Sequence, residues 1–385
     1  MPEMLERELA PARLSAAPTD GRRPIRVLFA GGGTGGHLYP GMEVAYNLRA
    51  RTGARCVFAG TGKPVEARVL EGSGFELARL PAARAPRGLR DVPGAALATL
   101  VALRASLAWL RALDPDFVVG LGGYASAAPA AAAAIRRRPL FLLEQNAVPG
   151  RANRWLAHLA SEVYVAWPEA RSHLPGRTPV KVLGNPVRSS VLRNVADARA
   201  RLGLAVSGAT LLVVGGSQGA RGLNRAIEAR IGRLAAERDR LQIVHLAGEE
   251  DAPRMRVLYQ AAGIRAFVAA YFSAMEIPYS AADLVLARAG GTTIAELFCR
   301  GLPAVLVPYP YAAEDHQTYN ARAAERAGGA VLIPEADLAD NGIERVLALA
   351  FDATQRKAIS ERMRRGARPE AAFAIATRML NVAVR

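Results

Sequence analysis

The sequence predicts an α/β protein built from two nucleotide-binding-type halves, each a parallel sheet wrapped by helices. Three observations predict it: short apolar, β-branched runs alternate with helical stretches; a glycine-rich loop follows the first strand of each half; and the order strand, glycine loop, helix restarts near residue 210 of 385. Continuous apolar strands suit a sheet covered on both faces, and a chain of this length exceeds what one core usually serves.

Residues 25–30, IRVLFA, form the first strand, FAGGGTGGHLYPG the loop, and GMEVAYNLRARTG a helix closed by a capping glycine. CVFAG, DFVVGLGG, PLFLLEQN, EVYVAW and VKVLG then alternate with helical segments. The second half opens with TLLVVGGSQGARGLNRAI and continues through LQIVHLAG, IRAFVAAY, ADLVLARAGG, LPAVLVPYP and GGAVLIP. The halves join near GNPVRSSVLRN at 184–194, and a ligand cleft between them is expected. Residues 1–24 mix Glu, Arg, Pro and Ser without a signal-peptide core and read as a disordered extension.

The formal net charge is +16, carried by 50 basic residues of which only Lys63, Lys181 and Lys357 are lysines. It favours anionic partners, and the 6% aromatic content without clustering argues against nucleic acid. Cys56, Cys299 and five scattered histidines have no metal-ligand spacing, so a zinc or iron enzyme is not expected. No run reaches the ~18 to 20 apolar residues of a membrane span, so membrane contact is expected to be peripheral. Residues 84–111 combine Leu89, Leu97, Leu100, Leu107, Trp109 and Leu110 with Arg84, Arg87, Arg90, Arg104 and Arg111. That composition fits either a core-facing helix or a segment lying in an anionic interface.

Gly31, Gly33 and Gly36 satisfy the dinucleotide fingerprint, but the next strand, CVFAGTGK, lacks the acidic residue that binds ribose. GTGK at 60–63 lacks the first glycine and the hydroxyl residue of a P-loop. GGSQG at 215–219 fits a nucleophile elbow, and Ser217, Asp283 and His316 follow in hydrolase triad order, an alternative from another reaction class. The reading that uses both loops, and GLGGYAS at 120–126 as well, is anion binding by bare backbone and helix N-termini.

Thr293 and Glu296 in ARAGGTTIAEL fit a capping box, or else Glu296 accepts both hydroxyls of a ribose. Arg188 suits a diphosphate bidentately, EQN at 144–146 ends a strand where ligands bind, and Gln317 opens a helix after Asp315 as a cleft contact or a first-turn residue. DPD at 114–116 is ordinary turn chemistry and is assigned no metal. His37, an imidazole with an ordinary pKa of ~6.5, is the candidate base.

GGGTGGHLYPG, GLGGYAS, EQN, GNPVR, GGSQGA, ARAGGTTIAE and DHQTYNA occur in the order and at the spacing of the MurG-type transferases of bacterial cell-wall synthesis, which the chain resembles over about residues 25–380. The resemblance implies a GT-B fold, two Rossmann-like domains with parallel sheets facing each other across a cleft. It divides the chain into an acceptor domain at 25–186, a UDP-sugar domain at 187–366 and a C-terminal helix at 367–385 returning to the first domain. It implies inverting transfer of N-acetylglucosamine from UDP-N-acetylglucosamine to undecaprenyl-linked lipid I at the cytoplasmic face of the membrane, with no cofactor and no metal. A diacylglycerol galactosyltransferase of the same architecture is the alternative.

Carried over, the donor residues are Thr34, Gly35, Gly36, Asn146, Arg188, Ser217, Phe272, Gly291, Thr292, Thr293, Ile294, Ala295, Glu296 and Gln317. Ser217 would contact UDP, Phe272 the uracil through its backbone, and Gln317 the sugar hydroxyls. Gly33, Thr34, Gly35, Gly36, His37, Gly122, Gly123 and Tyr124 would face the acceptor diphosphate. Two departures stand out: Leu143 replaces the family's histidine before EQN, and PYPYAAE is inserted before Asp315.

Overall fold

A computed structural model describes residues 23–81, 91–216 and 221–383. The chain separates into two compact units, one reaching Val187 and taking back the segment from Arg368 onward, the other spanning Arg188–Ala367. In the first, β1 (Arg26–Gly31), β2 (Arg55–Gly60), β3 (Glu76–Arg79), β4 (Phe117–Gly122), β5 (Leu140–Glu144), β6 (Glu162–Val165) and β7 (Val180–Val182) form a parallel sheet ordered β3-β2-β1-β4-β5-β6-β7. Strand order reverses between β1 and β4, and in such sheets a crevice opens there, beyond the carboxyl ends.

Alternate residues of β1 serve two cores. Val27 and Phe29 join Phe58, Phe117 and Leu121 on one face, and Leu28 and Ala30 join Val57, Val118 and Leu142 on the other. Helices α1 (Gly35–Thr52), α2 (Pro64–Leu70), α3 (Val92–Leu113), α4 (Ala127–Ile135) and α5 (Arg151–Leu156) link the strands. The chain pattern overlooks β3, whose residues ELAR offer only two apolar positions; as an edge strand it buries only Ala78. Helix α1 begins six residues before the predicted helical stretch, inside the glycine loop, because Gly35 and Gly36 adopt helical geometry and Pro40 is accommodated close to the helix start.

Helix α3 corrects the expectation that no segment reaches membrane-span length, since by length and composition alone it is long and apolar enough. It packs one stripe, including Ala102, Leu110 and Leu113, into the unit and leaves Leu97, Leu100 and Val101 exposed. Leu89, Arg84, Arg87 and Arg90 lie outside the described residues, as do residues 1–22.

The second unit repeats the plan. Strands β8 (Ala209–Val214), β9 (Leu241–Leu246), β10 (Ala266–Ala269), β11 (Leu284–Ala287), β12 (Ala304–Leu306) and β13 (Ala330–Leu332) form a parallel sheet ordered β10-β9-β8-β11-β12-β13. Its reversal lies between β8 and β11. Among its helices are α6 (Arg221–Ala229), α7 (Glu276–Ala281), α8 (Gly291–Arg300) and α9 (His316–Arg326). The final helix, α10 (Ala371–Ala383), belongs to the first unit, where Ile375, Ala376 and Met379 enter the core. Arg378 grips the buried Glu162 through Nε at 2.9 Å and Nη2 at 2.6 Å. Burial pushes the Glu162 carboxyl upward, but Arg378 and the Tyr164 hydroxyl outweigh it and hold it below the usual range.

Candidate active site

At the β1/β4 reversal, Thr34 caps α1 by backbone geometry alone, and its Oγ1 lies 3.4 Å from His37 Nδ1. The Nε2 side of the imidazole meets the end of β4. Gly122 has φ +102°, and a Cβ there would sit 3.3 Å from His37 Nε2, so a side chain would both strain the backbone and crowd the ring. Tyr124 follows at 45% exposure and begins the turn that leads into α4. The start of α1, with Thr34, Gly35, Gly36 and His37, thus lies beside Gly122, Gly123 and Tyr124 at the β1/β4 reversal.

A residue absent from the sequence reading holds this crevice together. Glu66, fully buried, accepts Gly33 N at 2.9 Å and Thr61 Oγ1 at 3.1 Å on Oε1. Its Oε2 accepts Gly62 N at 2.7 Å and Lys63 N at 3.1 Å. A Cβ on Gly32 would collide with the same carboxylate. The signal was a glutamate at the third helical position after the dismissed GTGK, where it accepts from the residue preceding the helix as in half of a capping box.

Glu144 plays a matching part after β5. Its buried carboxylate accepts Asn146 N at 2.9 Å, Asn146 Nδ2 at 3.0 Å, Gly150 N at 3.1 Å and Asn153 Nδ2 at 2.9 Å. Burial raises its pKa even against these bonds, and Asn146 is held in place by it.

In the second unit, Gly215 and Gly216 follow β8, and Ser217 lies outside the described residues. Beyond β11, Gly290 is the N-cap of α8, which places Gly291, Thr292 and Thr293 in its first turn and Ile294, Ala295 and Glu296 in its second. The capping box between Thr293 and Glu296 does not form. Instead Glu296, 4% exposed, receives Arg188 Nε at 3.0 Å and Nη2 at 2.9 Å on Oε1, and Tyr279 Oη at 2.9 Å on Oε2. Burial and the neighbouring Glu296 charge push the Tyr279 hydroxyl well above its ordinary value, so it stays a donor. Arg188 also reaches Ser273 O at 3.4 Å, beside the buried Phe272, whose ring packs edge-on against Phe267.

Gln317 Oε1 accepts Tyr309 N at 3.0 Å, which ties α9 to the inserted loop where Tyr309 and Tyr311 meet edge to face. Buried Arg288 bonds Val307 O and Pro308 O and pairs with Glu335, bracing the same loop.

The hydrolase triad is excluded by topology. Asp283 precedes β11 at the amino edge of the sheet, where Arg199 and Thr210 N each donate to its Oδ2 at 2.7 Å. His316 opens α9 after β12, beyond the carboxyl edge, with Nδ1 2.8 Å from Ala313 O. Strands of about four residues separate these edges by more than ~10 Å, beyond hydrogen-bond reach.

Comparison with known proteins agrees with this geometry. Residues 27–165 match the glycosyltransferase family 28 N-terminal domain and residues 210–374 its C-terminal domain. A UDP-N-acetylglucosamine–N-acetylmuramyl-(pentapeptide) pyrophosphoryl-undecaprenol N-acetylglucosamine transferase of Desulfotalea psychrophila is 39% identical over 91% of this chain and 95% of its own. The chain belongs to the MurG family. It is a glycosyltransferase with the GT-B fold. The namesake relative in Geobacter sulfurreducens is 38% identical over 92% of this chain and 98% of its own. The crystal structure of Acinetobacter baumannii MurG matches with a TM-score of 0.74 at 26% identity, over 93% of this chain and all of that one. The calicheamicin glycosyltransferase CalG4, 18% identical with a TM-score of 0.65, shares the fold. Within this MurG-family chain, Leu143 is 2% exposed in the core, so the side chain before Glu144 is a packing residue.

Proposed function

We propose that this enzyme moves N-acetylglucosamine from UDP-N-acetylglucosamine to the 4-hydroxyl of the muramoyl sugar of undecaprenyl-pyrophosphoryl-N-acetylmuramoyl-pentapeptide, converting lipid I to lipid II. The carrying observation is that His37 lies over the Gly122–Gly123 loop at the strand-order reversal of the first unit. In this reading His37 is the base and the neighbouring glycine backbone the cradle for a diphosphate. The names of relatives aligned along nearly the whole chain support the same substrates.

In this reading the first unit binds the acceptor diphosphate on the loops at 33–36 and 122–123, and the second binds UDP at Ser217, Gly291, Thr292 and Thr293. The acceptor oxygen forms a bond to the anomeric carbon as the bond to the UDP oxygen breaks, inverting that centre. The hydroxyl proton passes to His37, and the charge on departing UDP is met by the N-terminus of α8 and Arg188. A carboxylate offers about four acceptor sites, and Arg188 and Tyr279 fill three on Glu296. Two ribose hydroxyls therefore need one of these three bonds to yield, and giving up one from Arg188 would leave a guanidinium N–H for the diphosphate. Asn146 and Gln317 would contact the sugar, and the backbone at Phe272 the uracil.

The exposed apolar face of α3, with Arg104 and Arg111 on the same helix, supports peripheral contact with an anionic membrane at the cytoplasmic side. The test is transfer of labelled N-acetylglucosamine from its UDP donor to a lipid I analogue, with UDP-galactose and diacylglycerol in parallel. Product only in the first pair is expected, and galactosyl-diacylglycerol alone would overturn the reading.

A further inference from the structure

GTGK at 60–63 fails as a P-loop, yet folding carries its lysine to the glycine loop after β1. Gly62 and Lys63 follow β2, the neighbour of β1, and their amides donate to Glu66 Oε2 at 2.7 and 3.1 Å. The other oxygen of that buried carboxylate accepts Gly33 N at 2.9 Å, so one group fixes the two loops against each other. Pro64 restricts the Lys63 backbone to an extended form, observed at φ −65° and ψ 145°. From this anchor the side chain turns its ammonium toward the first loop: a Cβ built on Gly33 would lie 3.4 Å from Lys63 Nζ. Gly33, at φ +87° and without a side chain, leaves that space to the lysine.

The charge balance shows what the ammonium serves. Among the residues assigned to the acceptor diphosphate, Gly33 to His37 and Gly122 to Tyr124, none carries a permanent positive charge. A helix N-terminus supplies about half a unit of positive charge, well short of what a diphosphate brings. Lys63 is exposed, so its head is open to a ligand. An ammonium is a compact point charge with three donors, able to serve oxygens of either phosphate.

We infer that Lys63 is a binding residue of the acceptor site, its ammonium pairing with the acceptor's diphosphate beside Gly33; the inference rests on the acceptor assignment above. Glu66, by holding both loops, sets where that charge stands. The diphosphate of the acceptor is the same before and after sugar transfer, so the contact is made equally in ground and transition states. Such uniform binding lowers the acceptor KM and leaves kcat alone.

The experiment uses the full chain and varies a lipid I analogue at saturating UDP-N-acetylglucosamine. A hydrogen bond to a charged group is worth roughly ten- to a hundredfold in affinity, so Lys63→Met should raise the acceptor KM about tenfold or more. Thermal midpoint, kcat and the KM for UDP-N-acetylglucosamine should hold, because the bond from Lys63 to Glu66 is made by the backbone. Lys63→Arg keeps the charge and should stay within about threefold of the parent. Arg79→Met removes another cation, one whose side chain lies against Gly62 instead of Gly33, and should leave the KM within about twofold. An acceptor without the peptide stem should show the same loss in Lys63→Met. An unchanged KM in Lys63→Met, an equal rise in Arg79→Met, or a loss confined to the peptide-bearing acceptor would each overturn the inference, the last by moving the ammonium to a peptide carboxylate. If no acceptor turns over, the assigned reaction has failed, and calorimetry with ethyl diphosphate in excess UDP decides Lys63 by itself. Weaker binding in Lys63→Met that Lys63→Arg restores upholds its role; equal binding by parent and Lys63→Met, or none by the parent, refutes it.

Discussion

Replacing Glu66 by Gln changes one oxygen to an amide nitrogen and removes the charge, with almost no change in shape. The buried carboxylate receives Gly33 N, Thr61 Oγ1, Gly62 N and Lys63 N. The least costly orientation turns the new NH2 toward Thr61, whose hydroxyl can rotate to accept. Gly33 N–H then faces a donor and is left unsatisfied, at about 1–3 kcal/mol, and the two bonds on the other oxygen fall from charge-assisted to neutral strength, together about 1–2 kcal/mol more. A loss of about 2–5 kcal/mol should lower the thermal midpoint by roughly 5–15 °C for a unit of this size. Gly33 belongs to the acceptor loop, so the KM for a lipid I analogue should rise about tenfold or more while that for UDP-N-acetylglucosamine stays within twofold. Scanning calorimetry and steady-state kinetics with each substrate varied in turn read both effects. A midpoint within 1 °C of the parent together with an unchanged acceptor KM would refute the clamp.

His37→Asn should reduce kcat by about 10²–10⁴-fold with little change in either KM, and near-normal turnover would pass the base role to another group. Tyr279→Phe strips one hydrogen bond from the buried Glu296 carboxylate, so the KM for UDP-N-acetylglucosamine should rise roughly five- to fiftyfold with the acceptor KM unchanged; isothermal titration with UDP checks it directly. His245 is fully buried between Tyr259 Oη and Asn224 Oδ1, and burial pulls its pKa down to about 3, while an unfolded histidine titrates near ~6.5. The unfolded chain takes up a proton that the folded unit refuses, so this contribution is complete above about pH 6.5 and is lost as pH falls toward 3, at about 1 kcal/mol per pH unit. Urea melts of His245→Gln between pH 7 and 5 should show a shallower decline than the parent, and parallel curves would contradict this.

Much of the fold was legible because it depends on local rules. Buried parallel strands require continuous apolar runs, and a glycine loop between strand and helix marks a phosphate-type turn, so both halves and their loops could be read from the chain. The edge strand β3 was missed because an edge needs only one buried residue to hold it, here Ala78. The hydrolase order of Ser217, Asp283 and His316 was equally legible and wrong, since linear order does not say which edge of a sheet a residue occupies. Glu66 showed in the chain only as a local capping residue; that it also holds Gly33, 33 positions away in sequence, and that Tyr279 holds Glu296 are contacts that only folding makes.

Taken alone, the sequence determined two glycine-looped α/β halves and, through seven motifs in order, the MurG resemblance, because propensity, turn chemistry and motif spacing are written in neighbouring residues. Tertiary structure decided that Glu296 is held by Arg188 and Tyr279 rather than capping its helix, and that His37 lies over Gly122. These depend on strand order, which brings β4 beside β1 and β11 beside β8 across long stretches of chain, and no local pattern encodes such a crossing.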